Sequence, residues 1–247
     1  MNEELAYDIS QCVHRDDLAP EVVAPWQGCD VPALVLRRLA TGGLRSLIAM
    51  PPAGWSGESA REDGALTQVF VLSGRLRVGE TVLGPKGFAV LPGDRPLPLA
   101  ALEDCDMLVI VDAPVAAGTS PEPVLHADAL AIEPFVPVVA GKLLEGFERR
   151  VLWLDERTGA DTRLLKVPGG FGGVGGANWH PVEEEIFCVE GDIQPDDSRP
   201  MRAGSFLWNP ARSIHGFNER TEGGCVLLEW HDGPWDLIRA PEADRAS

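Results

Sequence analysis

The chain has 247 residues, with 38 Asp or Glu against 21 Lys or Arg, and a formal net charge of −17. That negative charge argues against nucleic acid or an anionic membrane surface as the main partner, since both need a positive field. With 45% hydrophobic residues, 27 Gly and 21 Pro, the composition excludes a disordered chain and a long helical coil.

From the N-terminus onward, no apolar run approaches the roughly 20 residues that span a bilayer. Residues 1–10 are acidic and lack the basic-then-apolar pattern of a secretory leader. The five cysteines, Cys12, Cys29, Cys105, Cys188 and Cys225, are an odd number, widely spread, with no C-x-x-C pair. These features predict a cytoplasmic protein without a disulfide framework.

Short apolar runs bounded by Gly and Pro then predict strands at 68–72, 88–91 and 107–111. Around residue 120 the chain turns small and Pro-rich, as a linker does. The best helical stretch is 138–149, weakened by Gly141 and Gly146 inside it. Further strands are predicted at 185–189, 205–208 and 225–230.

The second half repeats the first. VHRDDL from Val13 recurs as LHADAL from Leu125, TQVFVLSGRL from Thr67 as EEIFCVEGDI from Glu184, and GFAVLPG from Gly87 as GSFLWNPA from Gly204. The order is kept while the offset drifts from about 112 to about 120 residues, as loop insertions would make it drift. The repeat predicts two homologous all-β domains, 1–120 and 121–247.

Two of the five histidines sit in a recognisable frame. Asn178 and His180 are followed by Glu184 and Gly191; Gly204, Pro210, His215 and Asn218 come next. Positions two apart on a strand share a face, so 178 and 180 point the same way. Two imidazoles, a carboxylate and an amide oxygen are thus candidate metal ligands. Such N/O ligands suit Fe(II), and also Mn, Ni, Co or Zn.

This frame resembles the cupin superfamily, whose first motif is G-x5-H-x-H-x3/4-E-x6-G and whose second is G-x5-P-x-G-x2-H-x3-N. Asn178 stands where the first His of the pair is usual, Arg212 stands at the second motif's internal Gly, and Asn218 comes one position early. The resemblance implies two tandem cupin barrels of the jelly-roll type. It also implies one divalent metal held by His180, Glu184 and His215, with Asn178 either a ligand or a lining residue. In the first copy Thr67 aligns with Glu184, Leu97 with His215 and Asp63 roughly with His180, so that copy is expected to be metal-free.

Alternation places Ile186 and Cys188 on the face of Glu184 and Phe217 on that of His215. Ile186, Trp208, Arg212 and Phe217 are the expected substrate-pocket residues, with Arg212 either gripping a carboxylate or enolate or making a surface ion pair. Cys188 reads as an inert core thiol, and His14 and His126 as structural. His231, beside Asp232, is the candidate catalytic base, with a surface histidine as the alternative reading. Family resemblance implies a metal-dependent enzyme acting on a small oxygenated molecule, first of all an Fe(II) dioxygenase of a ketone, enol or phenol. A metal-dependent isomerase or lyase, or a binding module similar to anti-sigma-type cupins, is the alternative. The expected partner is a small molecule, with room for a homodimer.

Overall fold

The computed structural model describes residues 5–7, 9–114, 116, 118–139, 141–173 and 176–240. Among these residues no α-helix occurs, only strands and two short 3-10 turns, and no helix is long and apolar enough to cross a membrane. The predicted strands are present and extend further at most ends: Ala65–Ser73, Phe88–Pro92, Asp106–Pro114, Glu184–Ile193, Ser205–Asn209 and Cys225–His231. The candidate helix at 138–149 is instead the strand pair Val138–Val139 and Lys142–Leu143 followed by strand Glu148–Leu154. Gly141 and Gly146 take φ values of +75° and +82°, which turn the chain where a helix would need to continue.

The chain divides into two compact units, Asp17–Ile132 and Met1–Asp16 with Glu133–Ser247. This departs from the expected split at 120/121 because each unit takes one strand from a segment that the repeat assigns to the other copy. In the unit Asp17–Ile132, strand Val124–His126 pairs with Phe88–Pro92. In the later unit, strand Gln11–His14 pairs with Ser205–Asn209, placing His14 opposite Ser205. His14 and His126, matched in the repeat, thus end equivalent strands. His14 Nδ1 accepts from the Asp16 amide at 3.1 Å, and the His126 ring stacks 6.2 Å from Phe88.

The unit Asp17–Ile132 has a seven-stranded sheet and a four-stranded sheet. Its core lies between them: Val69, Val71, Ala89, Leu91, Met107 and Val109 from one sheet meet Leu76, Val78, Leu83 and Leu99 from the other. Alternate residues along each strand supply this face, as pleating requires. The later unit has its main sheet in the order 148–154, 161–167, 225–231, 184–193, 205–209 and 11–14. Its other ladder is reduced to the pairs Ala6–Tyr7 with Ser213–Ile214 and Asn178–Trp179 with Ile238–Arg239, joined by an Asn178–His215 bridge. Both units are of the jelly-roll class. They are not closed barrels, because the edge strands of each main sheet stay unpaired with the second ladder.

Gly74 and Gly191 hold the same place in the repeat, with φ of +74° and +73°. A Cβ on either would lie 2.1 Å from a carbonyl oxygen, that of Asp104 or of Gly224. Close backbone approach therefore accounts for the glycine in both copies.

Deleting residues 1–16 should destabilise the later unit by about 2–4 kcal/mol, since the Ser205–Asn209 edge loses about four ladder hydrogen bonds and Cys12 leaves the core it packs against. Calorimetry should show that transition shifted and the transition of residues 17–132 unmoved. A shift of both, or of neither, would contradict the assignment of this strand.

Candidate metal centre

Four side chains form a row across four neighbouring strands of the later unit. Asp161 lies opposite His231, His231 opposite Glu184, and Glu184 opposite Asn209. Side chains so paired are close enough to bond directly. His231 places Nδ1 2.8 Å from Asp161 Oδ1 and Nε2 3.1 Å from Glu184 Oε1. Asn209 Nδ2 donates to Glu184 Oε2 at 2.8 Å. Both oxygens of a buried carboxylate are thereby oriented by fixed neighbours.

Two histidines approach this carboxylate from outside the row. His180 Nε2 is 3.2 Å from Glu184 Oε2, and His215 Nε2 is 3.8 Å from the same oxygen. Asn178 and His215 exchange backbone hydrogen bonds at 2.9 Å each way, and the Arg212 amide donates to the His180 carbonyl at 2.8 Å. These contacts hold the two histidine segments side by side, with rings 4.6 Å apart. His180 Nδ1 donates to the Val182 carbonyl at 2.8 Å and His215 Nδ1 to the Ser213 carbonyl at 3.0 Å. Nε2 of each ring is thereby turned towards Glu184. One ligand atom from each of His180, Glu184 and His215 lies within 4.8 Å of the others, a group able to hold a metal ion.

Burial tends to suppress every charge here, and the neighbours decide which survive. For Glu184 burial is outweighed by His180 and His231, which hold its carboxyl well below the usual range. Burial of His180 is outweighed by Glu184 and the Val182 carbonyl, so its pKa is raised. Burial of His231 is outweighed by Asp161 and Glu184, again raising it. For His215 burial, helped by His180, outweighs Glu184 and the Ser213 carbonyl and pushes the pKa down to about 4, which leaves it neutral with a free lone pair.

The group opens on a cavity of about 110 Å³. Its polar lining includes Asn178, Asn209, Arg149, Glu219 and Glu229, and its apolar lining includes Phe147, Phe171, Ile186, Leu207 and Trp235. Asn209 Oδ1 is buried there with no hydrogen-bond partner, an unsatisfied acceptor that fits a site meant to receive something. Burial, helped by the charges of Glu184 and Glu229, pushes Glu219 up to about 7.

The sequence-predicted residues divide accordingly. His180, Glu184 and His215 come together, Asn178 lines the cavity with Nδ2 donating to the Gly176 carbonyl at 3.3 Å, and Ile186 lines it too. Trp208, Arg212 and Phe217 do not line it. Trp208 lies on the strand face opposite Leu207 and Asn209. Arg212 adopts φ +65° in the turn where the motif has Gly, and its guanidinium sits 5.0 Å from the Trp179 ring. Gly216, at φ +77°, breaks the alternation that would have turned Phe217 inward. His231 is fully buried within the row and is no surface histidine.

Sequence reasoning missed Asp161, Asn209, Arg149, Glu219 and Trp235. Glu219 had a signal: it occupies the exact position of the second motif's closing Asn, four residues after His215. The others had none. In the unit Asp17–Ile132 the equivalent place is filled: Thr67 accepts from the buried Trp26 indole at 2.9 Å, Leu97 packs against the core, and Asp63 pairs with Arg61 at 2.6 Å.

Residues 132–232 match the family model Cupin_7, the ChrR cupin-like domain. No curated protein matches the sequence. Among solved structures, a candidate dioxygenase from Nostoc punctiforme is similar at TM-score 0.77 and 15% identity, over 94% of this chain and 87% of that one. Protein Ylba from E. coli is similar at TM-score 0.66 and 14% identity, over 94% of each chain. A variant of Bacillus subtilis oxalate decarboxylase is similar at TM-score 0.60 and 13% identity, over 94% of this chain and 81% of that one. At such identities the likeness is one of fold. Motifs, jelly-roll units and matched family model agree: residues 132–232 are cupin-like in sequence, and the chain is cupin-like in fold.

Proposed function

We propose that the chain is a metal-dependent cupin enzyme, with one divalent metal on His180, Glu184 and His215 and a small oxygenated organic molecule as substrate. The observation that carries this is the convergence of two imidazoles and one carboxylate, all oriented by their neighbours, at a largely apolar cavity. Fe(II) is the metal that this donor set suits first, and oxygenation of a ketone, enol or phenol is the reaction. A divalent metal bound there supplies a Lewis acid for a carbonyl or enolate oxygen and, as Fe(II), a site for O2.

The chain's own residues do the rest. Asp161 and His231 keep Glu184 Oε1 occupied, so that Oε2 is the oxygen presented to His180 and His215. Phe147, Phe171, Leu207 and Trp235 line the cavity with apolar surface for the substrate's hydrocarbon part. Glu219, poised to gain or lose a proton near neutrality, is the group in the cavity suited to proton transfer. His231 holds Glu184 in place, so the part of catalytic base passes from His231 to Glu219.

A binding module without catalysis is the second reading, favoured by Asn178 in place of the usual third imidazole. Elemental analysis of metal-replete wild type and of Asn178→His, with oxygen uptake on a panel of ketones and phenols, separates the two. An enzyme should hold one metal per chain and consume oxygen with some member of the panel, and Asn178→His should bind metal about 10-fold more tightly. An empty wild type that gains metal only on Asn178→His would turn the reading to a binding module.

A further inference from the structure

We infer that the substrate of this cavity carries a carboxylate and that Arg149 is the residue that grips it. The inference rests on the reading of the cavity as the substrate site of a metal enzyme, and it names the substrate class. The expected anion-binding residue, Arg212, lies outside the cavity, and Arg149, from strand Glu148–Leu154, lies in its wall.

Arg149 is only 9% exposed, and its Nε is buried with no hydrogen-bond partner. A guanidinium stays charged at any pH a protein survives, so burial does not neutralise it. An unmatched buried cation is costly, and an unbonded donor adds to that cost. The surroundings supply partial compensation without a matching acceptor. The Arg149 guanidinium lies 5.4 Å from the centre of the Trp235 ring, and Glu229 acts on it through charge.

Arg163, also over Trp235 at 5.2 Å, provides the contrast. Its guanidinium is paired with Asp161, so its charge is answered within the protein. Arg149 is the cation in the cavity wall with a donor still to be satisfied, and a carboxylate fits a guanidinium fork in two parallel bonds. Trp235 joins this subsite to the metal group, since its ring lies 6.3 Å from His180 and 5.6 Å from His231. Apolar walls between the two ends suit an organic acid with a short hydrocarbon body, whose carboxylate meets Arg149 and whose carbonyl or hydroxyl oxygen faces His180, Glu184 and His215.

The test is calorimetric titration of wild type, Arg149→Lys and Arg149→Gln with acetate, lactate and pyruvate. Each acid is run beside its methyl ester, and inorganic phosphate serves as a second anion. At least one acid should bind wild type in preference to its ester and to phosphate. Arg149→Gln should weaken that acid by about 10- to 100-fold while leaving ester binding unchanged. Arg149→Lys keeps the charge and protects against a mere folding defect; it should lose part of the acid's advantage, because an ammonium cannot match both oxygens. Equal binding of acid and ester, no binding of any acid, preference for phosphate, or indifference to both substitutions would each overturn the inference. Elemental analysis of the same samples reads the metal separately. Arg149-dependent acid binding by a chain empty of metal would keep this inference and remove the metal reading. One metal per chain with acid and ester bound alike would do the reverse.

Discussion

Changing His180→Ala or His215→Ala is expected to remove the single bound metal, taking stoichiometry by elemental analysis from about one per chain to near zero. Each ring offers one of three clustered ligand atoms and is locked in place by its Nδ1 donation to a carbonyl, so losing either ring removes a third of the group. Thr67→Ala and Leu97→Ala, at the matching positions of the first copy, should leave the metal content unchanged, because that place is filled by core packing around Trp26. One tightly held metal surviving in both histidine variants would sink the assignment.

The same centre predicts a pH dependence of a definite sign. His180 has a raised pKa in the metal-free protein, so a metal must displace its proton, whereas His215 is already neutral down to about 4. Affinity should therefore weaken as pH falls below the raised His180 pKa, by about tenfold per pH unit for one displaced proton. Calorimetry in buffers of different ionisation enthalpy should count that proton. Affinity that is flat from pH 8 to pH 5 would contradict the placement of the metal on His180, since even the ordinary imidazole pKa of about 6.5 predicts a loss of about 1.5 decades over that range.

His231→Ala should be the most damaging change that touches no proposed ligand. It leaves Glu184 and Asp161 as buried carboxylates, each short of a partner, and breaking such a pair costs about 3–5 kcal/mol. Metal affinity should fall by about 10- to 100-fold, since the carboxylate loses the contact that sets its orientation. Saturating metal should restore part of the lost stability by answering the Glu184 charge. Denaturant unfolding with and without metal tests both effects together. An unchanged midpoint and unchanged affinity would leave His231 with no part in the site.

The resemblance to the cupin motifs implied, without any coordinates, that His180, Glu184 and His215 belong together, and the internal repeat showed that the first copy lacks their counterparts. Strand alternation likewise placed Ile186 in the cavity, and the repeat determined that two β units exist. These features are local: a two-residue pleat, a turn that demands a positive φ, a strand too apolar to be exposed. Alternation failed where a local break intervened, at Gly216 before Phe217, and it could not choose a face for Trp208. Tertiary structure alone decided the rest. Asp161, His231, Glu184 and Asn209 form a row because of register between strands distant in sequence, and no spacing within one strand encodes register with another. Arg149 reaches the cavity from a strand that carries no motif, and residues 11–14 complete the sheet of a unit whose other strands begin more than a hundred residues later. Burial and charge balance are properties of what surrounds a side chain, so the tie of His231 to Glu184, the neutrality of His215 and the unsatisfied donor on Arg149 exist only once the sheets have closed around them.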